Sequence, residues 1–125
     1  ADTLYHAEPD LDYLSEICPA DSLCTFFDRP KFRDETGFYM HNPQHPRAKE
    51  WANRLEEIYL SGEVWTYEKD RAADQYTMAF GRDSFKDCKQ MDLMTYHEGV
   101  DPKDPVPTSP LNNFLQHLKG EKKTA

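Results

Sequence analysis

His117, Gly120 and Lys123 stand at three-residue steps in the closing run His117-Leu118-Lys119-Gly120-Glu121-Lys122-Lys123. An imidazole ligates divalent metals, a glycine lets an anion approach the backbone, and an ammonium adds a point charge for phosphate oxygens. These residue types in this order predict a site that holds a metal and a phosphate together; a solvated basic chain end is the plainer reading. At the opposite end Asp2 offers a hard oxygen ligand of the kind Mg²⁺ or Mn²⁺ takes, while His117 suits Mn²⁺ and softer ions. The chain opens Ala1-Asp2-Thr3 without an initiator methionine, so it reads as a piece of something longer or as a processed product.

Asp2-Thr3, Glu35-Thr36-Gly37-Phe38 leading into an apolar stretch, Asp74-Gln75, and the closing His-any-any-Gly-any-any-Lys run resemble the second half of a nucleotide-sugar glycosyltransferase of the A-type fold. The resemblance implies an α/β fold, a mixed sheet flanked by helices. Residues 1–125 would then be a single domain, the acceptor and metal side of a larger catalytic domain whose N-terminal nucleotide-binding half lies elsewhere. In that family an Asp-any-Asp motif and a late histidine hold a divalent cation on the donor diphosphate. The resemblance makes Asp2 the second carboxylate of that motif and His117 the histidine, with Gly120, Lys122 and Lys123 at the diphosphate. It implies Mn²⁺ or Mg²⁺ and a nucleotide-sugar donor as cofactors, and a sugar or other hydroxyl as acceptor.

Glu35 and Asp74 are then the carboxylates to examine for catalysis. A carboxylate can deprotonate the acceptor hydroxyl when the anomeric centre inverts, or stabilise an oxocarbenium-like transition state when it is retained. Asp74-Gln75 is similar to the acidic dipeptide that reaches sugar hydroxyls in retaining members; a helix-start acid favoured by the macrodipole is its plain competitor. For Glu35-Thr36-Gly37 the competitor is a polar turn before a strand. Trp65 and Tyr67 could stack on a sugar face or form the buried face of a strand, and His97-Glu98 could be a second metal pair or simply a polar entry to a loop. The isolated chain is expected to have little or no activity, the full-length protein to transfer a sugar. Two readings of other classes stand beside this one: a non-catalytic α/β protein-interaction module, and a metal-dependent hydrolase using the same acids and histidines.

A formal charge of −8 argues against nucleic acid or an anionic membrane as the main partner. A metal and local lysines can still reverse that sign at one site. The chain is long enough to bury one core, and its 13% aromatic content sets it apart from disordered sequences despite a mean hydropathy of −0.90. No apolar run has the length of a membrane helix and no signal peptide opens the chain, so a cytoplasmic location is expected, with homo-oligomerisation left open. Cys18, Cys24 and Cys88 lack the paired spacing of a zinc site and read as reduced core thiols.

The elements that must position these residues follow from periodicity and punctuation. Asp10 followed by Leu11, Leu14 and Ile17 predicts a capped amphipathic helix ending at Pro19. Leu23 to Phe27 reads as a strand, Lys31 to Glu35 as a loop, and Gly37 to His41 as a second strand. From Pro46 to Tyr59 the apolar spacing predicts the strongest helix, stopped by Ser61-Gly62. Val64 to Tyr67 reads as extended, Asp74 to Phe80 as helix with Gly81 as its stop, and Met91 to Tyr96 as strand. Pro102, Pro105, Pro107 and Pro110 make 99–110 a loop of the kind that covers a site or links domains. Leu111, Phe114 and Leu115 suggest a helical turn or two before the tail.

Overall fold

The computed structural model describes residues 3–67 and 74–117, excluding the side chains of Tyr67 and Asp74. It is a mixed α/β structure of helices and small sheets. None of its helices is long and apolar enough to cross a membrane among the described residues.

The central strand, β2 (Cys24–Phe26), is buried at every position. It carries β5 (Met40–His41) antiparallel on one side and β6 (Met91–Asp92) parallel on the other, which makes the sheet mixed. A strand covered on both faces needs a continuous rather than alternating apolar run, as Leu23 to Phe27 provides. Beside it, β3 (Asp28–Arg29) and β4 (Arg33–Asp34) form a hairpin, and β1 (Thr3–Tyr5) pairs antiparallel with β7 (Leu115–His117). One apolar cluster joins Ile17, Phe27, Phe38, Leu93, Val106 and Phe114; a second joins Leu23, Phe26, Trp51 and Phe85.

Helix α1 (Leu11–Ile17) starts where Asp10 accepts a hydrogen bond from the Tyr13 amide, and its Cys18 cap precedes Pro19. Helix α2 (Ala48–Leu60) buries Trp51 and Ile58 and stops at Ser61, after which Gly62 turns the chain at φ 81°. Only Gly can take that left-handed turn without a Cβ penalty.

Several sequence expectations are corrected. Val64–Tyr67 is a short helix, α3, rather than an extended segment. Its β-branched and aromatic residues favour strand, but Val64 is buried with Ile58 and Tyr76, and this packing overrides local propensity. Helix α4 (Asp74–Asp83) runs through Gly81 instead of stopping there. Gly81 is an approach point: a Cβ there would collide with Leu55 Cδ2 on α2. Met91 to Tyr96 divides into β6 and a helix, α5 (Leu93–Tyr96), because the Asp92 carboxylate accepts from the Met94 amide and caps a helix start. Lys31 to Glu35 contributes to the β3–β4 hairpin, with Arg33 at φ 57°. The strand expected over Gly37 to His41 covers only Met40–His41. Residues 111–115 divide between the 3-10 turn Pro110–Asn113 and β7.

The proline-rich segment 99–110 contains the 3-10 turn Val106–Thr108. Pro105 and Val106 are fully buried, so the segment is a strap pinned to the core. Asp101 knits it: its amide bonds to Thr108 Oγ1 at 2.8 Å and its carboxylate accepts from the Lys103 amide at 2.9 Å.

Candidate metal centre

Glu35 leaves β4 held by its own backbone, which donates to the Phe27 carbonyl at 3.1 Å. Its side chain turns inward and is buried. Glu35 Oε1 accepts from the Gly37 amide at 3.0 Å, and Oε2 pairs with Arg29 Nη1 at 3.4 Å. Arg29 is aimed by the hairpin itself, donating from Nε to the Arg33 carbonyl at 2.9 Å and from Nη2 to the Asp34 carbonyl at 3.1 Å.

His117 arrives from β7, held in register opposite Thr3, and its side chain is 3% exposed. The strap brings Asp104 Oδ1 to 3.0 Å from His117 Nδ1. On the other ring nitrogen, Nε2 faces Glu35 Oε1 at 3.7 Å. Glu35, Asp104 and His117 thus come together as the described residues' one group of three potential metal-ligating side chains, supplied by a hairpin exit, a strap and a terminal strand.

Carboxylate oxygen and imidazole nitrogen are donor types that a divalent cation takes. Two donors each about 2.1 Å from a common ion stand about 3.0 Å apart at a right angle and about 3.6 Å apart near trigonal opening. The Nε2 to Oε1 separation of 3.7 Å lies just beyond that span, so the two donors would draw together slightly on a shared ion. With Nδ1–H donated to Asp104, the Nε2 lone pair is left for a ligand, the arrangement in which a carboxylate fixes the tautomer of a metal-binding histidine. A Cβ on Gly37 would lie 3.0 Å from His117 Nε2 and 3.1 Å from Glu35 Oε1, tighter than side-chain carbons normally approach, so glycine at this position is what lets both donors close in on the backbone.

Of the residues the sequence singles out, Glu35 and His117 meet at this cluster. Asp2, Gly120, Lys122 and Lys123 lie outside the described residues. Thr3, the residue after Asp2, is nevertheless paired with His117 across β1 and β7. Asp74 opens α4. Trp65 lies on a helix and is 48% exposed, rather than on the buried face of a strand. His97 bonds to the Tyr13 hydroxyl at 2.6 Å, and burial lowers its pKa against the opposing pull of Glu16.

Asp104 and Arg29 were missed by sequence reasoning. The one signal for Asp104 is its place in a proline-rich loop too long to be idle; for Arg29 there is none, since its role depends on a hairpin that the sequence does not announce.

Behind the hairpin a second ionic group is structural. Arg82 Nε bonds to both oxygens of the fully buried Asp34 at 3.0 and 3.1 Å, while Nη2 stands 2.8 Å from Asp28 Oδ2 as an ion pair without a well-aligned hydrogen bond. Burial pushes the Asp34 carboxyl up to about 6, against the opposing pull of Arg82. A cavity of about 340 Å³ lies along α2, but Arg47 and Arg54 in its wall are occupied by Glu50, Asp87, Glu57 and Glu63. Cys18, Cys24 and Cys88 are free thiols. The chain matches no family profile, no curated protein and no solved structure.

Proposed function

We propose that this chain is the acceptor and metal side of a nucleotide-sugar glycosyltransferase of the A-type fold, using Mn²⁺ or Mg²⁺ held by Glu35 and His117. The observation that carries the reading is the pair of buried donors, Glu35 Oε1 and His117 Nε2, 3.7 Å apart against Gly37, with Asp104 on the other ring nitrogen. A divalent cation there supplies charge neutralisation for the leaving nucleoside diphosphate. Asp104 holds the imidazole in the tautomer that presents Nε2, and Arg29 aims the Glu35 carboxylate by pairing with its Oε2. In this reading Glu35 is a ligand rather than a base, and Asp74, whose side chain lies outside the described residues, is the carboxylate proposed for the acceptor hydroxyl. Thr3 and His117 are adjacent across one strand pair; Asp2, Gly120, Lys122 and Lys123 enter this reading from the sequence alone. The free thiols suit a reducing compartment such as the cytoplasm.

Calorimetric titration of Mn²⁺ into the chain, with and without a nucleoside diphosphate, tests the reading. Wild type is expected to bind saturably and more tightly with the diphosphate present. His117→Ala should abolish binding, and Asp104→Asn should weaken it by about 10- to 100-fold. Binding that survives His117→Ala unchanged would remove the site, and indifference to both Mn²⁺ and diphosphate would favour the protein-interaction module. In the full-length protein, donor cleavage without any acceptor would indicate the hydrolase instead.

A further inference from the structure

Next to the cluster lies a pocket of about 170 Å³ lined by Pro30, Lys31, Phe32, Pro102 and Lys103. Its walls are the β3–β4 turn and the strap, the two segments that also deliver Glu35 and Asp104. Proline rings and the Phe32 ring, 40% exposed, make broad apolar walls; two lysines border them. On a chain of net charge −8 the residues lining this pocket carry two ammonium groups and no carboxylate. The volume is right for a single ring, since about 150 Å³ accommodates a benzene-sized molecule. Arg29 ties pocket to cluster: its guanidinium stands 5.6 Å from the Phe32 ring centroid and donates to the Phe32 carbonyl at 3.3 Å, while its Nη1 pairs with Glu35.

We infer that this pocket seats a phosphorylated six-membered ring, stacked on Phe32 and the prolines with its phosphate at Lys31 and Lys103. Apolar plates accept the flat face of an aryl ring or the C–H face of a sugar, and ammonium groups supply the charge that selects a phosphate. Naming that ring as the acceptor rests on the transferase reading; the pocket's preference for it does not.

The probe is phenyl phosphate, titrated into the full chain in EDTA and followed by amide NMR shifts at Lys31, Phe32, Lys103 and Asp104. Expected are saturable shifts with a Kd on the order of 1 mM, as a ligand this small allows. Phenol and inorganic phosphate should each bind at least about fivefold more weakly, and Phe32→Ala and the exposed Lys31→Ala should each weaken phenyl phosphate by a similar factor. Phe32→Tyr keeps the ring and should bind as wild type. A hexose 6-phosphate run in parallel separates the carbohydrate form of the ligand from the aryl form. No saturable shift by about 10 mM, equal binding of inorganic phosphate, or wild-type affinity in Lys31→Ala would overturn the inference. Because EDTA removes any cation, that failure leaves the cation site untouched, and His117→Ala tests the latter separately.

Discussion

A methyl group at position 37 would sit 3.0 Å from His117 Nε2 and 3.1 Å from Glu35 Oε1, closer than neighbours normally tolerate but within what a slight shift absorbs. Gly37→Ala should therefore fold and still lose Mn²⁺ affinity by about tenfold or more, because the displaced donors no longer face the ion at bonding distance; calorimetry beside a circular dichroism melt separates the two effects. Asp34 makes a pH prediction of its own. Burial raises its folded pKa from 3.8 to about 6, so between those values the native state binds a proton that the unfolded chain gives up. Its contribution is full below pH 3.8 and is lost as pH rises to about 6, at most about 3 kcal/mol. Melts of wild type and Asp34→Asn across that range should show the wild-type advantage shrinking with rising pH. An advantage that grows instead would mean that pairing with Arg82 outweighs desolvation.

At the scale of elements, local signals succeeded where a side chain meets its own backbone and failed where packing decided. Asp10 caps α1 by accepting from the Tyr13 amide at 3.1 Å, an interaction contained within four residues. Asp10→Ala should cost about 1 kcal/mol in a chemical denaturation curve. Gly81 has the residue type of a helix stop, but its role is to let α4 approach Leu55 on α2. Gly81→Val should lower stability by about 2 kcal/mol through overpacking, whereas at a true helix end the position would tolerate it only according to its backbone angle. The prolines of 99–110 exclude long regular structure, as expected, yet 3-10 turns, buried Pro105 and Val106, and the Asp101 bonds turn the segment into the strap that presents Asp104. That outcome was invisible in the sequence because each contact joins the strap to atoms far from it or across its own turns.

For the whole molecule, the pairing of β1 with β7 joins the first and last described strands and fixes His117 in register opposite Thr3. A chain beginning at His6 should keep the packing around Trp51 and Phe26 but lose hydrogen-exchange protection across Leu115 to His117, and Mn²⁺ affinity with it. Unchanged affinity would show that the strap and hairpin alone hold the imidazole. The sequence by itself determined the α/β character, the long amphipathic helix from Ala48 and the buried central strand, and it singled out Glu35 as a carboxylate for catalysis and His117 as a metal ligand. These depend on periodicity, short-range caps and side-chain chemistry, all of which are local. Only the tertiary structure decided that Glu35, 82 positions earlier in the chain, would face His117, that Asp104 would hold the other ring nitrogen, and that Arg29 would join the cluster to a pocket. Those contacts follow from strand register and from the packing of loops onto a common core, where the free energy lies in which distant surfaces meet rather than in any segment's own preference.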